Sequence, residues 1–146
     1  MATLKELLLE PARRPAVVDD CVQLVDDEVR AKTGLGGMAV KGAFVVVKKL
    51  KPGIIRETVD NLLDDFVARL ESFYVDFEGQ DGKQLEPYFT GRAAEVANAL
   101  LGVTDDRAAR AKNKVIKKAY GKLRPTGVKH TEAAVPGLAR VIDKHT

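Results

Sequence analysis

The stretch from Ile54 to Tyr74, IIRETVDNLLDDFVARLESFY, decides the fold, because its apolar residues recur three and four positions apart. At about 100° per residue in an α-helix, these positions share one face. The apolar residues are Ile55, Val59, Leu62, Leu63, Phe66, Leu70, Phe73 and Tyr74. The acidic residues on the opposite face are Glu57, Asp60, Asp64, Asp65 and Glu71. The pattern predicts an amphipathic helix over about 54–74, at the centre of a helical bundle.

Two helices are predicted at the start of the chain, ahead of the segment over 35–50. Thr3 and Glu6 have the spacing of a capping box, which predicts a short first helix. Pro15 favours the start of a second helix, because a first-turn proline loses no helical hydrogen bond. That helix runs to about Lys32, and Gly34 is suited to a left-handed cap after it.

The apolar segment between the second helix and the central one is ambiguous. Its sequence over 35–50 is LGGMAVKGAFVVVKKL, and the β-branched part has strand propensity. A lone strand among helices would have no pairing partner, so we interpret the segment as a buried helix beside the central one. Whether Gly36 and Gly37 bend this helix is left open by the pattern. Lys51-Pro52-Gly53 predicts a chain break before the central helix.

The sequence VDFEGQDGKQ, which follows the central helix, predicts a loop or a small hairpin. Val75 and Phe77 alternate with acidic residues, whereas Gly79, Asp81 and Gly82 signal turns. The central helix is therefore expected to end near Tyr74.

Three more helices are predicted in the C-terminal part of the chain. Thr90 is suited to cap a helix that ends at Gly102, and Thr104 is suited to cap the next helix, over about 105–124. The sequence RPTG then signals a turn, and a last helix is expected over about 136–144. The whole chain, 1–146, is predicted to be a single all-α domain, a compact bundle of about six helices.

Composition indicates a soluble globular protein. The chain has 146 residues, of which 45% are hydrophobic and 31% charged, and it is long enough to bury a core without a disulfide or a metal ion. The single cysteine, Cys21, fits a reducing compartment. The N-terminal sequence lacks the features of a secretory signal, and no apolar run has the length of a membrane span. We therefore expect a cytoplasmic protein.

Charge is segregated along the chain. Residues 54–82 contain eight acidic and two basic residues, a net charge of −6, whereas 107–130 contain nine basic residues and no acid. The two blocks could attract each other within the fold, or the basic block could bind an external polyanion such as nucleic acid. The candidate polyanion-binding residues are Arg107, Arg110, Lys114, Lys117, Lys118 and Lys122. A solvated or internally paired basic face is the simpler interpretation, because only Asn113 and Tyr120 nearby could read bases.

No segment of the sequence meets the structural requirements of a known cofactor-binding motif. Gly34, Gly36 and Ala39 fit the spacing GxGxxG/A, but a dinucleotide-binding turn follows a strand, and here a helix precedes it. We interpret these residues as capping and close-packing positions. Lys41-Gly42 reverses the order of a phosphate-binding loop, so no cofactor is predicted.

Catalytic and metal sites are equally unsupported by the sequence. The only serine, Ser72, lies on the polar side of the central helix, and Cys21 lies in an apolar arc, where a buried structural thiol is expected. Both histidines, His130 and His145, are near the C-terminus. The acidic face of the central helix therefore lacks the histidines of a di-iron bundle, and a solvated face or a weak cation site is expected instead of a metal centre.

The order LLLEPARRPAVVDDCVQLVDDEV, then KPG, then LLDDFVARLESFY, resembles a family of small bacterial all-helical proteins with no assigned function. The resemblance covers most of the chain and implies a helical fold. It supplies no catalytic residue.

Three functional hypotheses follow. The first is a non-enzymatic protein that acts through its surface, as a homo-oligomer or by binding a protein partner. The second is sequence-independent nucleic-acid binding by the basic residues named above. The third, an enzyme or carrier with an apolar pocket between helices, would be indicated by a large closed cavity lined by Phe44, Phe66 and Phe73.

Overall fold

The computed structural model describes residues 3–32, 34–80 and 84–146, and within them every regular element is an α-helix. Seven helices lie in these ranges: α1 Leu4–Leu8, α2 Arg14–Ala31, α3 Gly34–Leu50, α4 Ile54–Glu78, α5 Leu85–Thr90, α6 Ala93–Arg110 and α7 Lys114–His145. The predicted all-α bundle is confirmed. That the chain forms a single domain stays a prediction.

The predicted central helix is α4, which contacts α1, α2, α3, α5 and α6. It buries Leu63, Leu70 and Tyr74, as the periodicity predicts, and also Val67, which the predicted stripe omits. The long helix α7 packs across α1, α2, α5 and α6, and it contributes Val135 and other residues to the same core. The core therefore lies between α4 and α7, where α1, α2, α5 and α6 pack against both.

The predicted start of α1 is confirmed. The hydroxyl of Thr3 accepts a hydrogen bond from the amide of Glu6 at 3.1 Å. The carboxylate of Glu71 accepts a second bond, from the amide of Leu4, at 2.7 Å. Glu71 thus caps α1 from the central helix, whereas the sequence places it on a solvated face.

Glycines set the two chain reversals around α3. Gly34 has φ +72° and Gly53 has φ +82°, a left-handed region that favours glycine, so the predicted cap and the predicted break before α4 are both confirmed. Gly37 allows a close approach, because a Cβ there would lie 2.7 Å from the carbonyl carbon of Lys32. α3 therefore folds back tightly against the end of α2.

The predicted burial of the segment over 35–50 is wrong. It forms one helix, but this helix packs only against the edges of α2 and α4, and within its described residues only Gly37 is buried. Half-buried Val40 and Phe44 face the body of the protein. The apolar composition predicts burial, but no other helix covers the far side of α3 within the described ranges.

The predicted loop after Tyr74 is also wrong in its first part, because α4 continues to Glu78. Phe77 packs its ring 5.6 Å from that of Tyr88 on α5, which keeps this last turn helical. Helix α5, which has no predicted counterpart in the sequence, buries Leu85, Tyr88 and Phe89. The predicted turn residues Asp81 and Gly82 lie outside the described residues.

Helix α6 does not break at Gly102. The glycine instead makes room for Arg69, because a Cβ would lie 2.8 Å from its Nη1 atom. Thr104 lies inside α6, where its hydroxyl donates to the carbonyl of Leu101 at 2.9 Å. Thr90 is the last residue of α5, and Arg92 stands at the N-cap of α6. Both predicted threonine caps are therefore wrong.

The predicted turn at RPTG is wrong as well, because α7 runs without interruption through Pro125 and Pro136. The real break lies at 111–113, where the side chain of Asn113 accepts from the amide of Val115 at 2.8 Å. The predicted basic helix is consequently divided between the end of α6 and the start of α7.

Candidate functional site

Most of the side chains on the outward side of α3 are apolar and exposed to solvent. At about 100° per residue, Met38, Val45 and Val46 lie in one arc, opposite the half-buried Val40 and Phe44. Met38 is 69% exposed, Val46 55% and Leu50 79%. We call this surface the α3 outer face; it consists of Met38, Ala39, Gly42, Val45, Val46, Lys49 and Leu50.

Lysines flank the α3 outer face on the side of the protein body. Lys48 forms an ion pair with Asp26 of α2 at 3.5 Å, and Lys51 forms one with Glu57 of α4 at 3.3 Å. Lys49 is the single charged residue on the outer face itself. Most of the exposed outer face is therefore apolar, and two of the lysines beside it are paired with α2 and α4.

Arginines occupy part of the acidic face of α4. Arg14 of α2 donates to Asp60 at 3.0 Å and to both carboxylate oxygens of Asp64 at 3.1 Å. This hydrogen-bonded guanidinium lowers the pKa of Asp64 below its usual value. Asp60 and Asp64, two carboxylates of the predicted acidic face, are therefore both bound by one internal cation. Within the described residues, no group of three histidine, cysteine, aspartate or glutamate side chains is arranged to hold a metal ion.

The six candidate polyanion-binding residues fall on two helices. Arg107 is bound internally, because its Nη2 donates to Asp65 at 3.2 Å. Arg110 is exposed at the end of α6, beside a surface cleft that Asp65 and Arg69 also line. The structure does not bring these two arginines onto the lysine-bearing face of α7. The predicted attraction between the acidic and basic blocks is realised at Arg107 and Asp65.

The remaining four candidates form a lysine-rich surface on the first part of α7. Lys114, Lys117, Lys118 and Lys122 lie in an arc of about 140° by helical spacing, and all four are exposed. Within the described part of the chain none of them forms an ion pair. The opposite side of this segment carries Tyr120, whose hydroxyl lies 2.8 Å from that of Thr104 on α6. The lysines therefore point away from the bundle.

An apolar cavity of about 240 Å³ lies between α2, α4, α6 and α7. One residue of α1, Leu8, closes one end. Of the three phenylalanines that the pocket hypothesis names, only Phe66 lines it. Phe44 lies in the groove between α2 and α3, and Phe73 packs edge-on against Phe89 at 6.3 Å. The cavity that would indicate the third hypothesis is therefore present only in part, because two of its three named phenylalanines lie elsewhere.

Cys21 lines this cavity and is half-buried. Burial raises the pKa of its thiol to about 11, and the neighbouring Asp20 acts in the same direction. A neutral thiol is a poor nucleophile, so the cysteine contributes an apolar wall. The expected burial of the Cys21 thiol is therefore only partial.

No helix in the described residues is long and apolar enough to cross a membrane.

The chain belongs to DUF6918, a family of unknown function, which it matches over residues 4–146. The resemblance drawn from helix patterning is therefore confirmed as membership of a family without an assigned function. No curated protein and no solved structure matches the chain.

Proposed function

We propose that this protein acts through protein contacts, and that the α3 outer face is where it self-associates. The observation that carries this proposal is the exposure of Met38, Val46 and Leu50 on a helix that no other element covers within the described residues. Exposed apolar patches of this kind mark interaction sites on proteins. We further propose a non-enzymatic role and a location in the cytoplasm; the single, unpaired Cys21 supports the location alone.

The exposed area of the chain is consistent with a missing partner. The structure exposes 9056 Å², whereas a monomer of this mass is expected to expose roughly 7,400 Å². The excess is larger than the roughly 800 Å² that each partner buries in a stable complex. A second copy of the chain, burying roughly 800 Å² of this one, would cover about half of the excess.

The α3 outer face is also self-complementary. If two copies met antiparallel about an axis at Gly42, Met38 would oppose the partner's Val46, and Ala39 would oppose the partner's Val45. The small Gly42 would allow the helices to approach closely. The two Lys49 side chains would lie about 20 Å apart along the axis, at about 1.5 Å per residue, so their repulsion would be screened. An acidic partner is not needed, because the face carries a single charge.

Sedimentation equilibrium tests this proposal directly. The wild-type chain is expected to sediment with twice its monomer mass of 15.9 kDa. Val46→Glu should convert it to a monomer, because a buried carboxylate without a partner opposes association. The matched control, Val75→Glu, introduces the same charge at an exposed valine of α4 and should leave the dimer intact.

A wild-type chain that is monomeric throughout the micromolar range would refute self-association. Binding to lipid vesicles with and without anionic lipid tests whether a membrane, instead of a second copy, covers the α3 outer face. If wild type bound them and Val46→Glu did not, the α3 outer face would be a membrane-binding surface and the proposal would be wrong.

A second candidate function is sequence-independent polyanion binding by Lys114, Lys117, Lys118 and Lys122. Their common exposed face and their lack of ion pairs within the described residues support it. In this proposal Arg107 plays no direct part, because Asp65 holds it, and Arg110 would add to binding only from the edge.

Binding to mixed-sequence duplex DNA at two salt concentrations tests the second candidate. We expect affinity to fall steeply with salt, and Lys117→Gln with Lys118→Gln to reduce the slope by about two phosphate contacts. Lys5→Gln with Lys41→Gln removes the same charge at exposed positions off both surfaces and should leave the slope unchanged. An equal decrease of the salt slope in both double variants would indicate that DNA binding depends only on the net charge of the protein.

A further inference from the structure

We infer that the cavity between α2, α4, α6 and α7 binds a small uncharged apolar molecule, such as an aromatic hydrocarbon or a medium-length alkyl alcohol. No described residue of α3 lines this cavity. The inference is therefore independent of self-association, and either proposal can fail without the other.

The size of the cavity admits such a ligand. Its volume is about 240 Å³, whereas an engineered cavity of about 150 Å³ lined by leucine, isoleucine and phenylalanine binds benzene. Native interiors are close-packed and leave few voids larger than a water molecule. A void of this volume at the centre of four helices is thus unusual for a region that serves only as a core, and the interior of a bundle is a common place for ligand sites.

The lining of the cavity disfavours a charged ligand. Its described lining contains no acidic and no basic side chain, and its polar groups are Cys21, Thr104 and Thr131. The hydroxyl of Thr131 donates to the carbonyl of Gly127 at 2.7 Å, and that of Thr104 donates to Leu101. Both hydroxyl protons are therefore engaged by the protein. A carboxylate in the cavity would find no donor, whereas an alcohol could donate to a threonine oxygen.

One end of the cavity is closed and the other is loosely packed. Near α1, the lining residues Leu8, Val17 and Leu70 are at most 3% exposed. At the opposite end, Val25 and Thr104 are only half-buried. A ligand would enter between the helices through such half-buried parts of the wall.

Titration of the full chain with n-octanol, followed by methyl NMR, tests the inference. We expect saturable shifts of the methyl signals of Leu63 and Val135, together with a rise in the unfolding temperature that depends on octanol concentration. Octanoate at neutral pH has the same chain length and carries a charge. It should bind at least about tenfold more weakly.

A matched pair of variants on α7 locates the binding. Ala134 lines the cavity and Ala133 is exposed on the same helix. Ala134→Phe should fill the cavity and weaken octanol binding at least about tenfold, and Ala133→Phe should bind like wild type. Circular dichroism and a cooperative melt show whether Ala134→Phe folds. If it does not fold, Val141→Phe replaces it, because Val141 lines the same cavity about two helical turns further along α7.

Three results would overturn the inference. The first is the absence of saturable methyl shifts with octanol in the wild-type chain. The second is equal octanol affinity in a folded cavity-filling variant and in Ala133→Phe, which would place the binding elsewhere. The third is equal affinity for octanoate and octanol, which would show that the ligand class is wrong.

Discussion

Arg124 of α7 holds Asp105 of α6 through two hydrogen bonds, from Nε to Oδ1 at 2.8 Å and from Nη2 to Oδ2 at 2.9 Å. The hydroxyl of Tyr120 donates to the same Oδ1 atom at 2.5 Å. This planar, two-bond arrangement fixes the orientation of both side chains. It joins the two helices directly before Pro125, at the point where a proline weakens α7.

The first prediction concerns acid stability. The bonds from Arg124, and secondarily that from Tyr120, hold the pKa of Asp105 below its ordinary value. A carboxyl with a lowered folded-state pKa contributes stability above the unfolded value of about 4, and this contribution is lost as pH falls through the folded value. Asp105→Asn should lower the melting temperature by a few degrees at pH 7 and flatten its decline below about pH 4.

Thermal melts of Asp105→Asn between pH 7 and pH 2 check this expectation. The control is Asp27→Asn, since Asp27 is exposed and accepts from the amide of Gln23 on its own helix. The control should follow the wild-type decline. A decline in Asp105→Asn as steep as in wild type would contradict the role of Arg124.

The second prediction distinguishes a continuous α7 from the turn that the sequence favours. Pro125 has no amide hydrogen, so the carbonyl of Gly121 lacks its helical partner at this position. In a continuous helix, Pro125→Ala restores that bond and should stabilise the protein, by at most about 3 kcal/mol. Denaturant unfolding measures the change. In a turn, the same substitution would release a restrained backbone and lower stability.

Much of the fold could be predicted because its signals are local. The apolar periodicity of α4, the Thr3 cap and the Gly53 break each depend on residues a few positions apart. Two local signals failed where distant contacts outweigh them. Arg124 and Asp105 support a helix through Pro125, and Arg69 occupies the space that Gly102 leaves open.

The candidate site was less predictable, for a physical reason. The apolar composition of α3 shows that its residues avoid water, but it does not specify whether another helix or another molecule covers them. The sequence does contain one clue to the surface position of α3: residues 29–55 include lysines and an arginine but no acidic residue. The cavity depends on how helices distant in sequence meet, as with Val25 and Thr131, so local patterns cannot place it.

The third prediction compares two glycines of α7. A Cβ on Gly121 would meet no neighbouring atom within 4 Å, whereas a Cβ on Gly137 would lie 2.4 Å from Leu24 of α2. Gly121→Ala should therefore stabilise the protein by about 0.5–1 kcal/mol through helix propensity. Gly137→Ala gains the same propensity but must displace Leu24, so its stability should be lower than that of Gly121→Ala. Urea unfolding of both variants measures the difference, and equal stabilities would contradict the α2–α7 packing.

The fourth prediction tests the unforeseen helix α5. Phe89 is completely buried, and its ring packs edge-on against that of Phe73 on α4. Phe89→Ala should destabilise the protein by about 3–5 kcal/mol, because it removes a large core side chain. Urea unfolding checks this value, with Phe44→Ala on the half-buried side of α3 as the control. A smaller loss for Phe89→Ala than for Phe44→Ala would indicate that α5 is not docked.

The fifth prediction follows from the position of Cys21 in the cavity wall. Because burial, aided by Asp20, raises the pKa of its thiol to about 11, the thiolate is scarce at neutral pH. A free cysteine has a pKa of about 8.5, so alkylation by iodoacetamide at pH 8 should be roughly two-hundredfold slower than that of glutathione. The rate should keep rising as pH approaches the raised pKa, and it should reach the glutathione rate once urea has unfolded the chain. Rapid alkylation of the folded chain at pH 8 would mean that Cys21 does not line the apolar cavity.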